Sequence, residues 1–300
     1  MNVSMQDAYN LGWKIGSVVE GSMPRTLLST YNNERRPVAL ELIELDKKMA
    51  RFYSDGPSRE SEKYQEFRDH FSHFTSGVGI RYRPSELVAS APRDGEAVDG
   101  DVHRDISVAI NGDQAVVSSK PQLAKRITIG ERLPSHRVLC QAEANVVHVS
   151  DLLPSNGKWR IMAFAGNLEN DTQFQTVQDL GASLQDILTH YIASAKSERS
   201  PIEVLALHSG SRDAVDLLKL HNVYHPWDDL LGWDYWKVYS DDASTFEPSC
   251  GSAYEKYGVG KEDGCVVVLR PDQHVSYIGL LGDHDALRRF FAGVMVPAVR

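Results

Sequence analysis

The stretch WRIMAFAG at residues 159–166 is a nearly continuous apolar run, and the rest of the C-terminal half is arranged around it. Such a run is typical of a strand that is buried on both faces. The segment that follows, at 172–196, has apolar residues at every third or fourth position, which is the period of an amphipathic helix. These residues are Val177, Leu180, Leu184, Ile187, Leu188 and Tyr191. The sequence therefore predicts a buried strand that leads into a long helix.

Further strands and helices alternate on both sides of this unit. Strands are predicted within 137–149 and at 202–207, 235–239, 265–269 and 275–280, and helices at 214–220, 253–257 and about 285–294. Strands separated by helices form a parallel sheet with crossover connections. The last two strands are joined through Pro271 and Asp272 as a hairpin, which adds an antiparallel edge. The predicted fold class is α/β, with a mixed sheet covered on both faces in the layout of a thioredoxin-like domain.

A thioredoxin-like layout raises the question of thiol redox chemistry. That chemistry needs two cysteines at a helix N-terminus, where the helix dipole lowers a thiol pKa. The corresponding segment, residues 167–170, reads NLEN and contains no cysteine. We therefore reject disulfide exchange and expect this domain to act as a scaffold or an interaction surface.

The N-terminal part of the chain has helical patterns only. A first helix is predicted over 4–19, with Asn2 or Ser4 as its N-cap. A second begins near Pro24, and Pro37 is expected to restart or kink it. A later aromatic stripe at helical spacing is typical of core packing. It consists of Tyr64, Phe67, Phe71 and Phe74.

A change in composition separates the two parts. From about residue 88 to 105 the chain is rich in Gly, Pro and Asp, which is typical of a linker or long loop. We therefore expect a mostly helical part over 1–90, a linker over 91–125 and the thioredoxin-like domain over 126–300.

Charge and cysteine content limit the class of protein. The chain of 300 residues has a net charge of −9 at pH 7. An acidic surface argues against a nucleic-acid partner and against an anionic membrane surface. No apolar run approaches the roughly 18 residues of a membrane span. The three cysteines, an odd and low number, indicate a reducing compartment, so we expect a cytoplasmic protein.

Two groups of histidines raise the question of metal binding. His70 and His73 lie one helical turn apart, but no third ligand is suggested nearby. His221 and His225 lie close to two aspartates around Pro226. Partly exposed helix histidines explain the first group, and a loop with solvated polar groups explains the second. No metal site is predicted.

The chain opens with MNVSMQDAYNLGWK, residues 1–14, on the predicted first helix. A helix N-terminus presents free backbone N–H groups and the positive end of the helix dipole. Such an end suits an anion or an electron-rich carbonyl. A reduced flavin carries negative charge near its pyrimidine ring, so a helix end placed there stabilises it. Every helix has an N-terminus, so the spacing alone offers this only as one hypothesis.

The opening segment resembles the last flavin-contacting motif of the group A aromatic hydroxylases, roughly Gly-Met/Leu-Asn-x-x-x-x-Asp-x-x-Asn-Leu-x-Trp-Lys. LLSTYNNERRPVA at 27–39 resembles the helix that follows in that family. GERLPSHRVL, DLLPSNGKWRIMAFAG and VVVLRPDQHVSYIG resemble the C-terminal domain of its phenol 2-monooxygenase branch. The resemblance covers nearly the whole chain in the family's order and is weakest over 90–125.

The resemblance implies an FAD-dependent monooxygenase that uses NADPH and O2 to hydroxylate phenol-like aromatic rings. It implies that the backbone of Met1, Asn2 and Val3 faces the flavin pyrimidine ring. The side chains of Gln6 and Asp7 are further candidates for cofactor binding, and Asp7 has an alternative role as an acidic residue in the first helical turn. None of the family's catalytic residues is assigned in this chain.

The resemblance also implies that much of the enzyme precedes the present Met1. In the family, a Rossmann-type unit with Gly-x-Gly-x-x-Gly holds the ADP part of FAD, and a Gly-Asp motif follows later. We therefore expect this chain to be the C-terminal part of such an enzyme and to be inactive alone. The alternative is a non-catalytic module that forms a homodimer through the thioredoxin-like domain. Glu34, Arg35 and Arg36 are interpreted as structural ion pairs.

Overall fold

Three helices form the N-terminal part of the protein. The computed structural model describes residues 2–54, 62–91, 117–191, 200–244 and 247–297. The helices are α1 (Asn2–Glu20), α2 (Ser29–Ser54) and α3 (Glu62–Ser76). The aromatic stripe predicted on α3 is confirmed, because Phe74 is buried and Phe67 and Phe71 pack against the core.

The predicted restart of the helix at Pro37 is wrong, whereas the alternative of a kink at Pro37 stays a prediction. α2 runs as one helix from Ser29 to Ser54 with Pro37 inside it. A proline in a helix leaves the carbonyl four residues earlier without its backbone donor, and here that carbonyl belongs to Asn33. Asn33 and Pro37 are both exposed, so water can satisfy the carbonyl and the helix continues.

The C-terminal part is built on a seven-stranded mixed sheet. Its strands are β1 (Arg137–Cys140), β2 (Val146–His148), β3 (Trp159–Gly166), β4 (Ile202–His208), β7 (Val238–Ser240), β8 (Cys265–Leu269) and β9 (Val275–Gly279). A separate hairpin consists of β5 (Trp227–Asp228) and β6 (Gly232–Trp233). The helices of this part are α4 (Asp171–Tyr191), α5 (Ala253–Tyr257) and α6 (His284–Val294). The order across the sheet is β2-β1-β7-β4-β3-β8-β9.

β3 lies inside the sheet, as its apolar run predicts. All of its residues are buried, and it pairs parallel with β4 and antiparallel with β8. Because side chains alternate between the faces of a strand, Trp159 and Phe164 point to opposite sides. Trp159 packs against Phe291 of α6, and Phe164 packs against Tyr254 of α5. Helices therefore cover both faces of the sheet, as predicted.

The connections give the βαβ–ββα order expected for a thioredoxin-like domain. β3, α4 and β4 form a parallel unit, and β8, β9 and α6 form an antiparallel hairpin followed by a helix. β4-β3-β8-β9 are neighbours in that order, and β7, β1 and β2 extend the sheet beyond β4. The prediction of a mixed sheet with a parallel centre and an antiparallel terminal hairpin is confirmed.

Several predicted boundaries differ from the structure. The region 137–149 contains a hairpin of two short strands, and the strand expected at 235–239 is β7, three residues later. The short helix expected at 214–220 is two separate 3-10 turns. The hairpin β5–β6 was not predicted. The long helix expected at 172–196 is confirmed over its described part as α4 (Asp171–Tyr191), and residues 192–199 lie outside the described residues.

The described residues on either side of the central part of the predicted linker lie against the sheet. Residues 92–116 of it are outside the described residues. On one side, Ala89 N donates to Ser276 O, and on the other Lys120 N donates to Ile278 O. Both acceptors belong to β9. Described residues on both sides of 92–116 are therefore hydrogen-bonded to the same strand.

Candidate functional site

The first turns of α1 contain four of the five predicted cofactor-contacting residues. Asn2 is exposed and its Nδ2 donates to Thr75 O of α3 at 3.4 Å. Val3 is half-buried against the core, and Gln6 is half-buried beside Gly77. Met1 lies outside the described residues. The start of α1 is thus accessible at Asn2 and packed on α3 along one side.

The side chain of Asp7 turns away from the helix end. Its Oδ1 accepts from Arg35 Nε of α2 at 2.6 Å, and the Arg35 side chain is only 3% exposed. Arg35 also donates to the hydroxyl of Tyr82 at 3.1 Å. The alternative role of Asp7 as an acid of the first helical turn is therefore wrong, because α1 already includes Asn2 and Asp7 lies in its second turn. For the same reason Asn2 and Ser4 are inside the helix, so neither is the N-cap predicted for it.

Behind this end, α1 is fixed by a buried ion cluster of Lys14, Glu34, Arg270 and Asp272. Glu34 of α2 accepts from Lys14 Nζ at 2.8 Å and from both terminal nitrogens of Arg270, at 2.6 and 3.0 Å. Arg270 donates in turn to Asp272, at 2.6 and 3.0 Å. The cluster contains two carboxylates and two cations, so its formal charges balance.

Neutral side chains complete the surroundings of the cluster. Asn10 Nδ2 donates to Glu34 at 2.8 Å, and Trp13 Nε1 donates to Asp272 at 3.1 Å. The Arg270 guanidinium lies over the rings of Trp13 and Tyr82, with 5.3 and 4.7 Å to the ring centroids. Charged groups removed from water are stable only when they are paired and hydrogen-bonded, and these contacts meet that requirement.

The cluster shifts the titration of its members. Burial alone raises the pKa of Glu34, but the positive charge of Arg270 and its hydrogen bonds outweigh burial and hold that pKa below 4.5. The pKa of Asp272 is well below its ordinary value of 3.8, for the same reason. Burial lowers the pKa of Lys14 to about 8, against the opposing effect of Glu34.

The predicted ion pairs of α2 are confirmed for two of the three residues. Glu34 and Arg35 are buried and paired, whereas Arg36 is exposed. The partners Arg270 and Asp272 were not anticipated, since the sequence around them indicated only a hairpin. The Leu-Arg-Pro-Asp segment indicates a charged turn between two apolar strands. It contains no signal that predicts a contact with α2.

A cavity of about 170 Å³ lies beside the cluster, between α1 and the hairpin of β8 and β9. Within the described part of the chain, four buried polar atoms that line it have no hydrogen-bond partner. They are Gln6 Oε1, Asn10 Oδ1, Arg35 Nη2 and His274 Nε2. Donors and acceptors are mixed, and the volume is that of a few water molecules, so the cavity suits ordered water that bridges these groups.

The cysteines occupy the interior of the C-terminal part. Cys140, Cys250 and Cys265 are free and buried. Burial raises the pKa of the Cys265 thiol to about 12. None of the three lies in the segment before α4, where a thioredoxin-type pair would sit.

The two histidine groups differ in burial. His70 is exposed on α3. His225, expected in a solvated loop, is buried and its Nε2 lies 3.0 Å from Leu220 O, so the expectation was wrong for this residue. The described residues contain no group of three or more His, Cys, Asp or Glu side chains placed to hold a metal ion. None of the described helices is both long enough and apolar enough to cross a bilayer.

Models of known protein families match segments in both parts of the chain. The family model described as phenol hydroxylase, C-terminal dimerisation domain, matches residues 80–299. The chain belongs to this family. The model of an FAD binding domain matches residues 1–46, which contain α1 and the first part of α2. The resemblance seen in the opening motif and in the C-terminal segments is thereby confirmed.

Two curated relatives align with almost the entire chain. A phenol 2-monooxygenase of Aspergillus fumigatus is 33% identical over 98% of this chain and 44% of its own length. A 3-hydroxybenzoate 4-monooxygenase of Comamonas testosteroni is 30% identical over 98% of this chain and 43% of its own length. The chain thus spans less than half the length of these relatives. Among solved structures, aklavinone-11 hydroxylase in complex with FAD and aklavinone matches with a TM-score of 0.48 and 18% identity, over 97% of this chain and 40% of that one.

Proposed function

We propose that this chain is part of an FAD-dependent monooxygenase that hydroxylates phenol-like rings with NADPH as reductant, and that the N-terminal end of α1 faces the flavin. The match of residues 1–46 to an FAD binding domain supports this role, as do the names of the relatives. The structural observation that carries it is the contrast along α1. Asn2 and Met5 are exposed at the helix start, whereas Trp13 and Lys14 are fixed in the interior.

A fixed helix with an accessible start is suited to hold a flavin ring. Bound FAD would supply the redox chemistry of the reaction. The first four N–H groups of a helix have no partner within it, and together they carry about half a positive charge. The buried ion cluster prevents α1 from rotating or sliding, so these N–H groups keep one orientation. Pre-oriented donors stabilise charge without a cost of reorganisation.

Within this end, the backbone of Met1, Asn2 and Val3 is proposed to face the pyrimidine ring. Gln6 is the better side-chain candidate of the remaining two. Its Oε1 has no partner within the described chain, whereas the carboxylate of Asp7 is already held by Arg35.

The roles that we propose for the two parts of the chain follow the expected domains. Residues 1–90 would belong to the FAD and substrate part and residues 126–300 to the dimerisation domain. The family match that begins at residue 80 supports a boundary in this region. The 300 residues contain no Gly-x-Gly-x-x-Gly motif for the ADP part of FAD. We therefore propose that the chain by itself binds FAD weakly and does not turn over.

FAD titration followed by amide NMR tests this proposal. We expect the purified chain to be colourless, and added FAD to shift the amide resonances of residues 2–7 with a dissociation constant in the high micromolar range or above. NADPH consumption in the presence of phenol should stay at the rate without protein. Shifts confined to other regions, or no shifts at saturating FAD, would show that the α1 end is not a flavin contact.

A second function is supported by the family match itself. We propose that residues 126–300 pair two copies of the chain, as the description of the matching family states for its domain. The molar mass in solution tests this proposal independently of flavin.

The buried free cysteines fit a protein that works in the cytoplasm.

A further inference from the structure

The hairpin of β5 and β6 concentrates exposed apolar side chains to a degree not seen elsewhere in the described chain. Other exposed apolar residues, such as Val19 and Leu40, are spread along helices. Within residues 227–236, five large side chains are exposed. They are Trp227 at 57%, Leu230 at 86%, Leu231 at 83%, Trp233 at 39% and Trp236 at 50%. We call these five residues the hairpin patch. Exposed large apolar side chains grouped on one short segment are typical of an interaction site.

Local hydrogen bonds hold the tip of the hairpin in one conformation. Asp228 Oδ1 accepts from the backbone N–H groups of Leu230 and Leu231, both at 2.9 Å. Trp227 Nε1 donates to Asp229 Oδ1 at 2.9 Å. The rings of Trp227 and Trp233 meet edge to face at 5.4 Å. The leucines are therefore displayed by a formed turn, and the aspartates around them are engaged locally.

The base of the hairpin is fixed to the sheet. Lys237 Nζ lies 2.7 Å from Glu203 of β4 and 3.2 Å from Asp234. The hydroxyl of Tyr239 in β7 donates to Trp236 O at 2.6 Å. A preformed and anchored surface loses little conformational freedom when a partner covers it, which favours association.

The size of the hairpin patch fits the centre of a protein interface. From the roughly 150–250 Å² that an aromatic side chain buries, its exposed tryptophan and leucine surface is on the order of 500 Å². A stable interface buries about 800 Å² on each partner. The hairpin patch therefore supplies more than half of one side, and tryptophans are the residues that most often dominate binding energy.

We propose that the hairpin patch is the surface through which a second copy of this chain docks. The inference rests on the proposed dimerisation, and the matching dimerisation-domain model spans the hairpin. In a two-fold dimer the same surface meets itself. An apolar surface is complementary to its own copy, whereas a patch of one charge sign repels its copy. The tryptophans and leucines would form the centre, with Asp228, Asp229 and Asp234 at the solvated rim.

Sedimentation velocity and light scattering on the full chain test the proposal. The wild-type protein is expected at twice the mass of the single chain. Replacing both leucines, as Leu230→Asp with Leu231→Asp, is expected to raise the dimer dissociation constant at least about 100-fold, because two apolar side chains lose their burial. The matched control is Leu280→Asp. Leu280 is 46% exposed and follows β9, an edge strand that β3 and β8 separate from β4, so this variant should stay dimeric.

Chemical cross-linking tests the same surface even if the aspartate variant folds poorly. The native cysteines are buried, so Leu231→Cys introduces an accessible thiol. A short bis-maleimide should convert this variant, and not Leu280→Cys, into a covalent dimer. If the wild type is dimeric and the double aspartate variant has the same mass, the hairpin assignment is wrong. Equal cross-linking of both cysteine variants would likewise overturn the hairpin assignment but not the dimerisation proposal. A monomeric wild type would overturn the dimerisation proposal as well, while the flavin titration would be unaffected.

Discussion

Glu34 and Arg270 are separated by 236 positions in the chain, yet they form a two-pronged ion pair with N–O distances of 2.6 and 3.0 Å. Both side chains are almost completely buried, at 3% and 0% exposure. The pair joins α2, in the region matched to an FAD binding domain, to the hairpin of β8 and β9 in the dimerisation domain. Lys14 on Glu34 and Trp13 on Asp272 bring α1 into the same contact. The proposed flavin-facing end is therefore positioned by the C-terminal domain.

Glu34→Gln is expected to destabilise the protein by about 3–5 kcal/mol, because it leaves the buried cations Lys14 and Arg270 with one carboxylate fewer. Urea unfolding followed by circular dichroism measures the change. Glu41→Gln on the same helix is the matched control, since Glu41 is 48% exposed and its loss should cost no more than about 0.5 kcal/mol. Equal stability of the two variants would show that the cluster does not hold the two parts together.

The same cluster makes stability depend on pH in the acid range. In the unfolded chain Glu34 and Asp272 take up protons near their ordinary pKa values of 4.5 and 3.8, whereas in the folded chain both pKa values are lower. As pH falls the unfolded state binds more protons, so the free energy of unfolding decreases. This contribution is complete above about pH 5 and is lost as pH falls through the folded-state values. Unfolding in urea between pH 7 and pH 3 should show a smaller decrease for Glu34→Gln, and parallel curves would contradict the assignment.

The sequence predicted those elements whose signal is local. β3 is a run of apolar residues, and α4 has apolar residues at helical spacing, so each could be identified from a few neighbouring positions. The hairpin β5–β6 has strands of two residues, too short for a period to be visible.

The candidate site was predictable only in part, because its contacts are long-range. The family motif drew attention to residues 1–14, and the charge of Glu34 and Arg35 indicated ion pairs. A single sequence contains no signal that joins Glu34 to Arg270 or Trp13 to Asp272. The role of Asn10, Trp13 and Lys14 in fixing α1 therefore could not be predicted and is seen only in the folded structure.

The thiols are expected to be unreactive while the protein is folded. Cys265 is fully buried, and burial raises its pKa to about 12, so almost no thiolate is present at neutral pH. Cys140 and Cys250 are buried as well. Ellman's reagent should label no cysteine rapidly in buffer and all three in guanidinium. Rapid labelling of a native thiol would contradict this expectation and would support the disulfide-exchange function that the sequence argues against.

Gln6→Glu tests the proposed orientation of α1 towards a flavin. Gln6 lies in the second turn of the helix, and its unpaired Oε1 lines the cavity beside Arg35. A carboxylate at this position partly cancels the positive potential of the helix N-terminus and adds negative charge near the proposed position of the electron-rich pyrimidine ring. An effect of this kind is worth up to about 1 kcal/mol, so the dissociation constant for FAD should rise about fivefold. Gln185→Glu on the exposed side of α4 makes the same charge change far from the site and should leave FAD binding unchanged. FAD titrations of the two variants and the wild type, followed by the amide shifts of residues 2–7, give the comparison. If both variants weaken binding equally, the effect comes from net charge, and the end of α1 is not where the flavin sits.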